Sequence, residues 1–366
     1  MRVPDASAAS PSATASQPPG SAPLAEYTTL RLGGPARRFV TARTSDALID
    51  AVRAADGAGE PLLVLGGGSN LLVADEGFDG TVVHVASAGI EVESSDGCSG
   101  ASVRVAAGEE WDAVVRRAVA EGWVGVEALS GIPGSTGATP LQNVGAYGQE
   151  VAETVATVRT WDRQVSRVRT LSAADCEFGY RSSRLKVEHY RGGPRFVVLE
   201  VTFQLPLGTA SAPVRYAELA RALGVDLGER APLAEVRSAV LGLRRAKGMV
   251  LDGADHDTWS AGSFFTNPIL DPADAARLPQ AAPRWPAADG LVKISAAWLI
   301  ENAGFGRGFG LPGPAGLSTK HTLALTNRGG ATATDIVALA RQVRDGVRST
   351  FGIELVPEPV LVGCSL

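Results

Sequence analysis

The sequence predicts an α+β fold built from two packed regions. The chain has 366 residues, more than one hydrophobic core usually holds. From Tyr27 to Leu205, short β-branched runs alternate with amphipathic helical stretches, whereas the chain after Val214 is richer in helical pattern. The intervening Pro- and Gly-containing stretch, Leu205 to Pro213, predicts a boundary between the two regions.

Residues 1–24 consist mainly of Ala, Ser and Pro, with too few large apolar side chains to offset the entropy lost on ordering. They are predicted to form a disordered tail. We expect the first region to occupy residues 25–210 and the second, smaller region to occupy residues 211–366.

The elements of the first region follow from its hydrophobic pattern. Its helices are predicted at Asp46–Ala55, with Ser45 as N-cap, and at Glu110–Glu121, where apolar side chains share one face. Its strands are runs rich in β-branched and aromatic residues, namely Pro61–Leu65, Thr81–Val85, Ser102–Ala106, Thr154–Trp161, Val165–Leu171 and Phe196–Phe203.

In the second region, the clearest helices are Leu233–Lys247 and Ala333–Thr350. The segments GSFFTNPIL, LVKISAAWLI and HTLALTN suggest a smaller sheet on which these helices pack.

Composition excludes several classes of function. A net charge of −5 argues against a nucleic-acid partner, because phosphate backbones are held chiefly by clustered Lys and Arg. Cys98, Cys176 and Cys364 are too few and too scattered for a disulfide framework or a zinc site, and no metal is expected. Because no signal peptide and no apolar run of about 18 residues is visible, we expect a cytoplasmic protein without a membrane partner.

Two glycine-rich loops are candidate phosphate cradles, Leu65–Val73 (LGGGSNLLV) and Ser130–Glu150 (SGIPGSTGATPLQNVGAYGQE). Glycine allows the backbone to approach an anion closely, so that successive N–H groups converge on phosphate oxygens. The first loop alone is equally well explained as a tight turn. A loop of about 20 residues inside a compact domain is uncommon unless it is functional.

Neither loop matches the standard nucleotide motifs. The dinucleotide fingerprint needs a third glycine where Leu71 stands, and a P-loop needs a Gly-Lys pair, which the chain lacks. A serine hydrolase would place its nucleophile in G-x-S-x-G, and neither Ser69 nor Ser263 lies in that pattern.

Five segments in series carry a resemblance to a known family. Both loops, followed by FGYRSS (178–183), AGSFFTNP (261–268) and VPEPVLVG (356–363), resemble the UDP-N-acetylenolpyruvoylglucosamine reductase (MurB) family. The resemblance covers the chain from about Tyr27 to Gly363. VRYAEL, which contains Tyr216, resembles the tyrosine-bearing insertion of the longer form of that family.

The resemblance implies a fold and a reaction. The fold is the FAD-binding fold of the vanillyl-alcohol oxidase and p-cresol methylhydroxylase type, followed by a substrate domain whose last strand returns Glu358 to the active site. The reaction is the NADPH-dependent reduction of UDP-N-acetylglucosamine enolpyruvate to UDP-N-acetylmuramate in peptidoglycan precursor synthesis, with hydride passing from flavin N5 to the enolpyruvyl methylene. FAD is expected to be non-covalent, since none of the four histidines lies in either loop. A monomer that acts on a small sugar nucleotide is expected.

The resemblance also assigns residues. Arg181 and Glu358 are expected to stabilise the enolate, Glu358 in protonated form or through a hydrogen bond, and Ser263 to donate the proton. Taken singly, these would be an ordinary ion-pair arginine, a solvated carboxylate and a turn serine. FAD contacts are expected at Gly66, Gly67, Gly68, Ser69, Asn70, Ile132, Pro133, Gly134, Gly137, Thr139 and Gly145. Substrate contacts are expected at Tyr216, Lys247, Asn267 and Lys293, while Lys320 and His321 receive no role.

Two rival functions remain open from the sequence. Another FAD-dependent oxidoreductase of the same fold, such as an oxidase, would explain both loops but not AGSFFTNP or the segment around Glu358. A non-enzymatic nucleotide-binding module would lack a flavin absorbance spectrum after addition of FAD.

Overall fold

The computed structural model describes residues 22–366. The predicted tail therefore lies outside the described residues except for its last three, and there the prediction was wrong. Pro23 forms a bridge with Pro35, and Leu24 is 1% exposed. Leu24 is ordered because its large apolar side chain fills a small cluster with Ala36 and Val362 among others.

Strands and helices alternate along the chain. Within the described part of the chain, the strands are Ala36–Ala42 (β1), Leu62–Leu65 (β2), Leu71–Val73 (β3), Phe78–Val85 (β4), Ile90–Asp96 (β5), Gly100–Ala106 (β6), Gly145–Ala146 (β7), Gln149–Glu150 (β8), Val155–Asp162 (β9), Arg167–Ser172 (β10), His189–Tyr190 (β11), Gly193–Pro194 (β12), Phe196–Leu205 (β13), Ile269–Leu270 (β14), Arg284–Pro286 (β15), Val292–Ile294 (β16), Ala315–Leu317 (β17), Leu325–Asn327 (β18) and Val360–Val362 (β19). The α-helices in the same range are Ser45–Ala58 (α1), Trp111–Glu121 (α2), Arg184–Val187 (α3), Ala217–Leu223 (α4), Leu233–Ala246 (α5), Pro272–Ala276 (α6), Ala296–Asn302 (α7) and Ala333–Phe351 (α8). None of these helices is both long and apolar enough to cross a bilayer.

The first half of the chain contains two larger sheets, besides the two-stranded pairs β7-β8 and β11-β12. Strands β1, β4 and β2 form a parallel sheet in the order β1-β4-β2, and α1 packs on it. Strands β10, β9, β13, β6 and β5 form an antiparallel sheet in that order. One apolar core joins both sheets to α1 and α2, through side chains such as Val52, Val83, Val115 and Phe203.

The six predicted strands of this half are present with ends shifted by a few residues. Two helix starts differ from the prediction. Ser45 is not the N-cap of α1, because Thr44 has the extended backbone and its Oγ1 accepts the N–H of Ala47 at 3.1 Å. Helix α2 begins at Trp111, with Glu110 as its N-cap.

The second half contains small sheets covered by helices. Strands β14, β16 and β15 form an antiparallel sheet, and β17 pairs with β18. LVKISAAWLI is only partly strand, because the Ser295 hydroxyl caps α7 by accepting the Trp298 N–H at 3.2 Å. Helix α8 packs its apolar face, which includes Ile336 and Val343, into a second core.

The end of the chain returns to its beginning. Strand β19 runs parallel to β3, with Val360 opposite Leu71 and Val362 opposite Val73. Leu72 of β3 is buried in the second core. This pairing brings the segment just before β19, which contains Glu358, against the first glycine-rich loop.

Candidate active site

The two glycine-rich loops lie against each other. The hydroxyl of Ser69 donates to the carbonyl of Pro133 at 3.0 Å, and a Cβ on Gly67 would lie 2.6 Å from the Cα of Gly134. Gly68 has a φ of +59°, and a Cβ there would lie 1.7 Å from the carbonyl oxygen of Tyr27. A side chain at Gly67 would therefore push the two loops apart, and one at Gly68 would collide with the backbone of Tyr27.

Backbone donors in both loops lack partners in the protein. Within residues 22–366, no hydrogen bond is made by the N–H groups of Gly66, Gly67, Gly68, Ser69 and Asn70 in the first loop or of Ile132, Gly134 and Ser135 in the second. Unpaired N–H groups in a glycine-rich turn form an anion-binding concavity. These donors fit a bound diphosphate.

Arg181 and Glu358 meet beside these loops. Their Nε and Oε1 atoms are 3.2 Å apart, but the N–H is not aligned with the carboxyl group, so this close contact is not a hydrogen bond. Both side chains are largely buried, at 23% and 14% exposure. The guanidinium also donates to the carbonyl of Gly145 at 2.8 Å.

The backbone around Arg181 is held by the second loop. Arg181 has a φ of +52° in a tight turn, in which Gly179 and Ser182 exchange backbone hydrogen bonds. The amide of Asn143 donates to Glu150 Oε2 at 2.7 Å and to the carbonyl of Gly179 at 3.2 Å. The loop therefore fixes the turn that presents the guanidinium.

Glu358 is positioned through its backbone and is poorly hydrated. Its N–H donates to the carbonyl of Phe264, and its carbonyl accepts from the Asn70 amide at 3.2 Å. Burial raises the pKa of Glu358, although the nearby charges of Arg181 and Lys186 oppose the rise. A protonated carboxyl is thus favoured relative to an exposed glutamate.

Ser263 precedes Phe264, whose carbonyl accepts the Glu358 N–H. Ser263 is half-buried, and its hydroxyl makes no hydrogen bond to residues 22–366. Arg181, Glu358 and Ser263 therefore belong to segments that share this region, and the serine hydroxyl remains available to a ligand.

Tyr180, Asn267 and Lys293 form a group next to Arg181. The ammonium of Lys293 lies 4.9 Å from the centre of the Tyr180 ring, within the range of a cation–π contact. Burial raises the pKa of Tyr180, against the opposing effects of Arg181 and Asn267. Asn267 Oδ1 accepts the N–H of Ala296 at 2.9 Å, so this side chain also caps α7.

A second group gathers around Tyr147, at the turn between β7 and β8. Tyr147 contacts Tyr216 edge to face, with ring centres 5.5 Å apart, and the Lys247 ammonium lies 5.6 Å from the Tyr147 ring centre. Lys247 is paired with Glu218 at 2.5 Å. Burial raises the pKa of Tyr147 to about 12. The β7–β8 hairpin contributes Tyr147 to this group and Gly145 to the contact with Arg181. It therefore connects the two.

Gly137, Thr139 and Gly145, which are among the expected FAD positions, make hydrogen bonds within the protein. The N–H of Gly137 donates to Ala107, the hydroxyl of Thr139 donates to Thr136, and the carbonyl of Gly145 accepts from Arg181. These positions shape the second loop and the Arg181 site.

Lys186 lies near Arg181 and is given no role by the sequence argument. The ammonium of Lys186 donates to the carbonyl of Arg181 at 3.1 Å, and burial lowers the pKa of Lys186. Gln142 accepts from the Asn70 amide at 2.7 Å, which joins the two loops. No pattern in the sequence distinguishes Lys186, although it is one of only four lysines in the chain. Within residues 22–366, no cluster of His, Cys, Asp and Glu is arranged to hold a metal ion.

Two protein families match parts of this chain, and known reductases are similar to most of it. Residues 36–171 match the model of an FAD binding domain, and residues 254–362 match that of the UDP-N-acetylenolpyruvoylglucosamine reductase C-terminal domain. The UDP-N-acetylenolpyruvoylglucosamine reductase of Cutibacterium acnes is 59% identical over 346 residues, covering 94% of this chain and 90% of that protein. The reductase of Thermobifida fusca is 58% identical, covering 94% and 98% of the two chains.

The chain belongs to the UDP-N-acetylenolpyruvoylglucosamine reductase family.

The fold of a family member agrees as well. The crystal structure of the reductase from Thermus caldophilus superposes with a TM-score of 0.63 at 26% identity, covering 93% of this chain and 98% of that one. The predicted α+β fold with an FAD-binding region and the predicted family are therefore confirmed. As a member of the family, this chain is an FAD-dependent oxidoreductase.

Proposed function

We propose that the protein reduces UDP-N-acetylglucosamine enolpyruvate to UDP-N-acetylmuramate for peptidoglycan synthesis, with NADPH as the reductant of its non-covalent FAD. The observation that carries the proposal is the meeting of Arg181 and Glu358 beside two loops whose N–H groups lack partners. The names of the relatives support the choice of UDP-N-acetylglucosamine enolpyruvate as the substrate. We expect a monomer that acts in the cytoplasm.

Bound FAD would supply the hydride that reduces the enolpyruvyl double bond, and the protein must stabilise the negative charge that results. Gly66 to Asn70, with Ile132 and Gly134, would hold the diphosphate of FAD through their N–H groups. None of these positions contains histidine, which supports non-covalent binding.

Arg181 would bind the carboxylate of the enolpyruvyl group. A guanidinium presents paired donors, and that of Arg181 is held by Gly145 at one nitrogen while its Nε lacks an aligned hydrogen bond within residues 22–366. An incoming carboxylate could use that donor. The fixed position of Arg181 means that little reorganisation is needed when charge develops.

Glu358 would act in protonated form. An ionised carboxylate would repel the enolate, whereas a neutral carboxyl can donate a hydrogen bond to it. The burial that raises the pKa of Glu358 supports this role. Ser263 would then give its hydroxyl proton to the substrate carbon, since its hydroxyl has no acceptor among residues 22–366.

The diphosphate end of the substrate would lie near Tyr216 and Lys247, with Asn267 and Lys293 nearer the reacting group. Tyr216 is 44% exposed, so it can move toward a ligand. Lys247 is paired with Glu218, and a diphosphate would compete for its ammonium.

An absorbance assay tests the function. Purified protein with FAD should show a flavin spectrum, oxidise NADPH when UDP-N-acetylglucosamine enolpyruvate is present, and oxidise it only slowly without that acceptor. Rapid NADPH oxidation with oxygen alone, unaffected by the enolpyruvyl compound, would instead identify an oxidase. Absence of flavin binding would contradict the cofactor as well as the reaction.

A further inference from the structure

Glu127 is a buried acidic residue that no step of the proposed reaction uses. It lies just before the second glycine-rich loop, its side chain is 0% exposed, and within residues 22–366 it makes no ion pair. Burial of a carboxylate without a counter-charge is unfavourable unless its oxygens accept hydrogen bonds. A side chain buried in this way is expected to do more than fill space.

Both carboxylate oxygens of Glu127 accept hydrogen bonds. Oε2 accepts the N–H of Gly125 at 2.6 Å. Oε1 accepts the side-chain amide of Gln149 at 2.8 Å and the N–H of Ala212 at 2.7 Å. The amide oxygen of Gln149 in turn accepts the N–H of Ala128 at 2.7 Å. One side chain therefore joins its own segment to two others that are distant in the sequence.

The two distant partners flank the contact between Tyr147 and Tyr216. Gln149 follows Tyr147 by two residues in the β7–β8 hairpin. Ala212 precedes Tyr216, the N-cap of α4, by four residues. The two rings meet edge to face, and because Tyr216 is 44% exposed, packing alone does not fix its position. Glu127 therefore holds the two backbone segments from which these rings extend.

Lys247, the other residue proposed for the substrate diphosphate, has an anchor of its own. Helix α5, at whose end it stands, is joined to α2 by Arg237, which donates to both carboxylate oxygens of Asp112 at 2.7 and 2.8 Å. This ion pair does not involve Glu127. Of the two proposed contacts to the diphosphate, Tyr216 is therefore the one that depends on the Glu127 carboxylate.

We propose that Glu127 is a positioning residue for substrate binding, whose carboxylate sets where Tyr216 stands relative to the hairpin that carries Tyr147. The inference rests on the proposed function, because it takes Tyr216 to contact the substrate diphosphate. Glu127 itself touches no ligand in this role.

An amide cannot replace the carboxylate in this arrangement. All three groups that face the oxygens of Glu127 are N–H donors, so a glutamine would turn its own NH2 group toward one of them. A buried donor left without an acceptor is more unfavourable than the loss of one hydrogen bond. Glu127→Gln is therefore a small change in shape that disturbs the held segments specifically.

Flavin binding should not depend on the Glu127 carboxylate. The second glycine-rich loop contacts residue 127 through its backbone carbonyl, which accepts the Ser130 hydroxyl at 2.7 Å. Arg181 is held by the carbonyl of Gly145, and the turn before it is held by the amide of Asn143. A substitution of the Glu127 side chain leaves all of these contacts in place, so we expect a loss confined to substrate binding.

Kinetics of the holoenzyme test the inference. Glu127→Gln should raise KM for UDP-N-acetylglucosamine enolpyruvate at least about tenfold, the effect of losing one hydrogen bond to a charged group, and should keep kcat within about threefold of the wild-type value. The rate at which NADPH reduces the flavin, measured by stopped-flow absorbance, should not change. Glu121→Gln, at an exposed position at the end of α2, is the matched control, and Thr332→Ala, which removes the cap of α8, controls for lost stability alone.

Two further variants locate the effect. In a Tyr216→Ala background, Glu127→Gln should raise KM by less than about a further twofold, because the ring that it positions is absent. Gln149→Met keeps Glu127 and its two backbone donors but removes the side-chain link to the hairpin. It should raise KM in the same direction, and it decides the question if Glu127→Gln does not fold.

Three outcomes would overturn the inference. They are an unchanged KM in these two single variants, an equal loss of kcat and of flavin reduction, and an undiminished effect of Glu127→Gln in the Tyr216→Ala background. Wild-type protein whose flavin is reduced by NADPH but not reoxidised by the enolpyruvyl sugar nucleotide would contradict the proposed function itself, and the inference with it.

Discussion

Ser263 carries a hydroxyl with no acceptor among residues 22–366, so replacing it by alanine removes a proton donor with little effect on packing. We predict that Ser263→Ala leaves reduction of the flavin by NADPH unchanged but slows its reoxidation by the enolpyruvyl substrate by about 10²- to 10⁴-fold, the usual contribution of a general acid. Stopped-flow absorbance of the flavin measures both steps. Ser349→Ala on the exposed face of α8 is the control, and near-normal reoxidation in Ser263→Ala would exclude the donor role.

Two substitutions of Glu358 distinguish a role of its hydrogen bond from a role of its charge. We predict that Glu358→Gln, which keeps an N–H donor, lowers kcat by no more than about tenfold, whereas Glu358→Ala lowers it about 10²- to 10³-fold, as does loss of a donor to a developing oxyanion. Steady-state NADPH oxidation compares the two variants. Equal losses would mean that the carboxylate acts through its charge on Arg181, 3.2 Å away.

At the residue scale, the sequence predicts best those positions that stand in a distinctive context. Arg181 and Ser263 lie in FGYRSS and AGSFFTNP, and the resemblance assigns them before any geometry is known. Lys186 has no such context, because its approach to Arg181 depends on the turn made by Ser183 and α3. The pKa of Glu358 likewise depends on burial, which the local sequence does not reveal.

At the scale of elements, hydrophobic runs were predictable and exposed edges were not. Strand β13 is mostly buried and begins with the apolar run Phe196–Leu199, whereas in β5 every residue after Ile90 is exposed. In the sequence of β5, apolar and polar residues alternate only from Ile90 to Glu93, and the last three residues lack the alternation that identifies a half-buried strand. LVKISAAWLI combines a short strand with α7, and apolar residues on both sides of Ser295 hide the change from strand to helix.

The cap of α8 permits a quantitative prediction. Thr332 and Asp335 form a capping box, and Asp75 adds hydrogen bonds to the first N–H groups of the helix. We predict that Thr332→Ala lowers the free energy of unfolding by about 1 kcal/mol, measured by urea denaturation. Ser349→Ala in the same helix should change it by less than about 0.5 kcal/mol. A similar loss in both variants would show that the cap does not hold the helix.

At the scale of the whole molecule, the order of the sheets could not be read from the sequence. The pairing of β19 with β3 joins residues far apart in the chain, and both strands contain only three residues. Local patterns carry no information about such partners. The division near residue 210 remains a prediction.

His321 connects the stability of the molecule to pH. Burial lowers the pKa of His321 to about 4, and the charges of Lys247 and Arg307 act in the same direction. Because the folded state binds this proton less readily than the unfolded chain, whose histidine has a pKa near 6.5, stability is present above pH 6.5 and is lost as the pH falls toward 4. The free energy of unfolding should fall by roughly 3 kcal/mol over this pH range.

We therefore predict that His321→Gln weakens the dependence of stability on pH between 6.5 and 4.5. Urea denaturation at a series of pH values measures this dependence. The control is His189→Gln, a substitution of the same kind at an exposed position. An unchanged slope in His321→Gln would show that the imidazole is protonated as easily in the folded protein as in the unfolded chain.

The contact between Asn70 and the carbonyl of Glu358 spans 288 residues of sequence. A ribosome that adds about 5–20 residues per second therefore needs roughly 15–60 s to make the second partner after the first. During that interval, the first glycine-rich loop exists without the strand that closes it. The nascent chain contains the loop that we propose to hold phosphate long before it contains the carboxyl group that we propose to act in the reduction. A chain that ended shortly before Glu358 would lack both that carboxyl group and β19, the strand that pairs with β3 beside the loop.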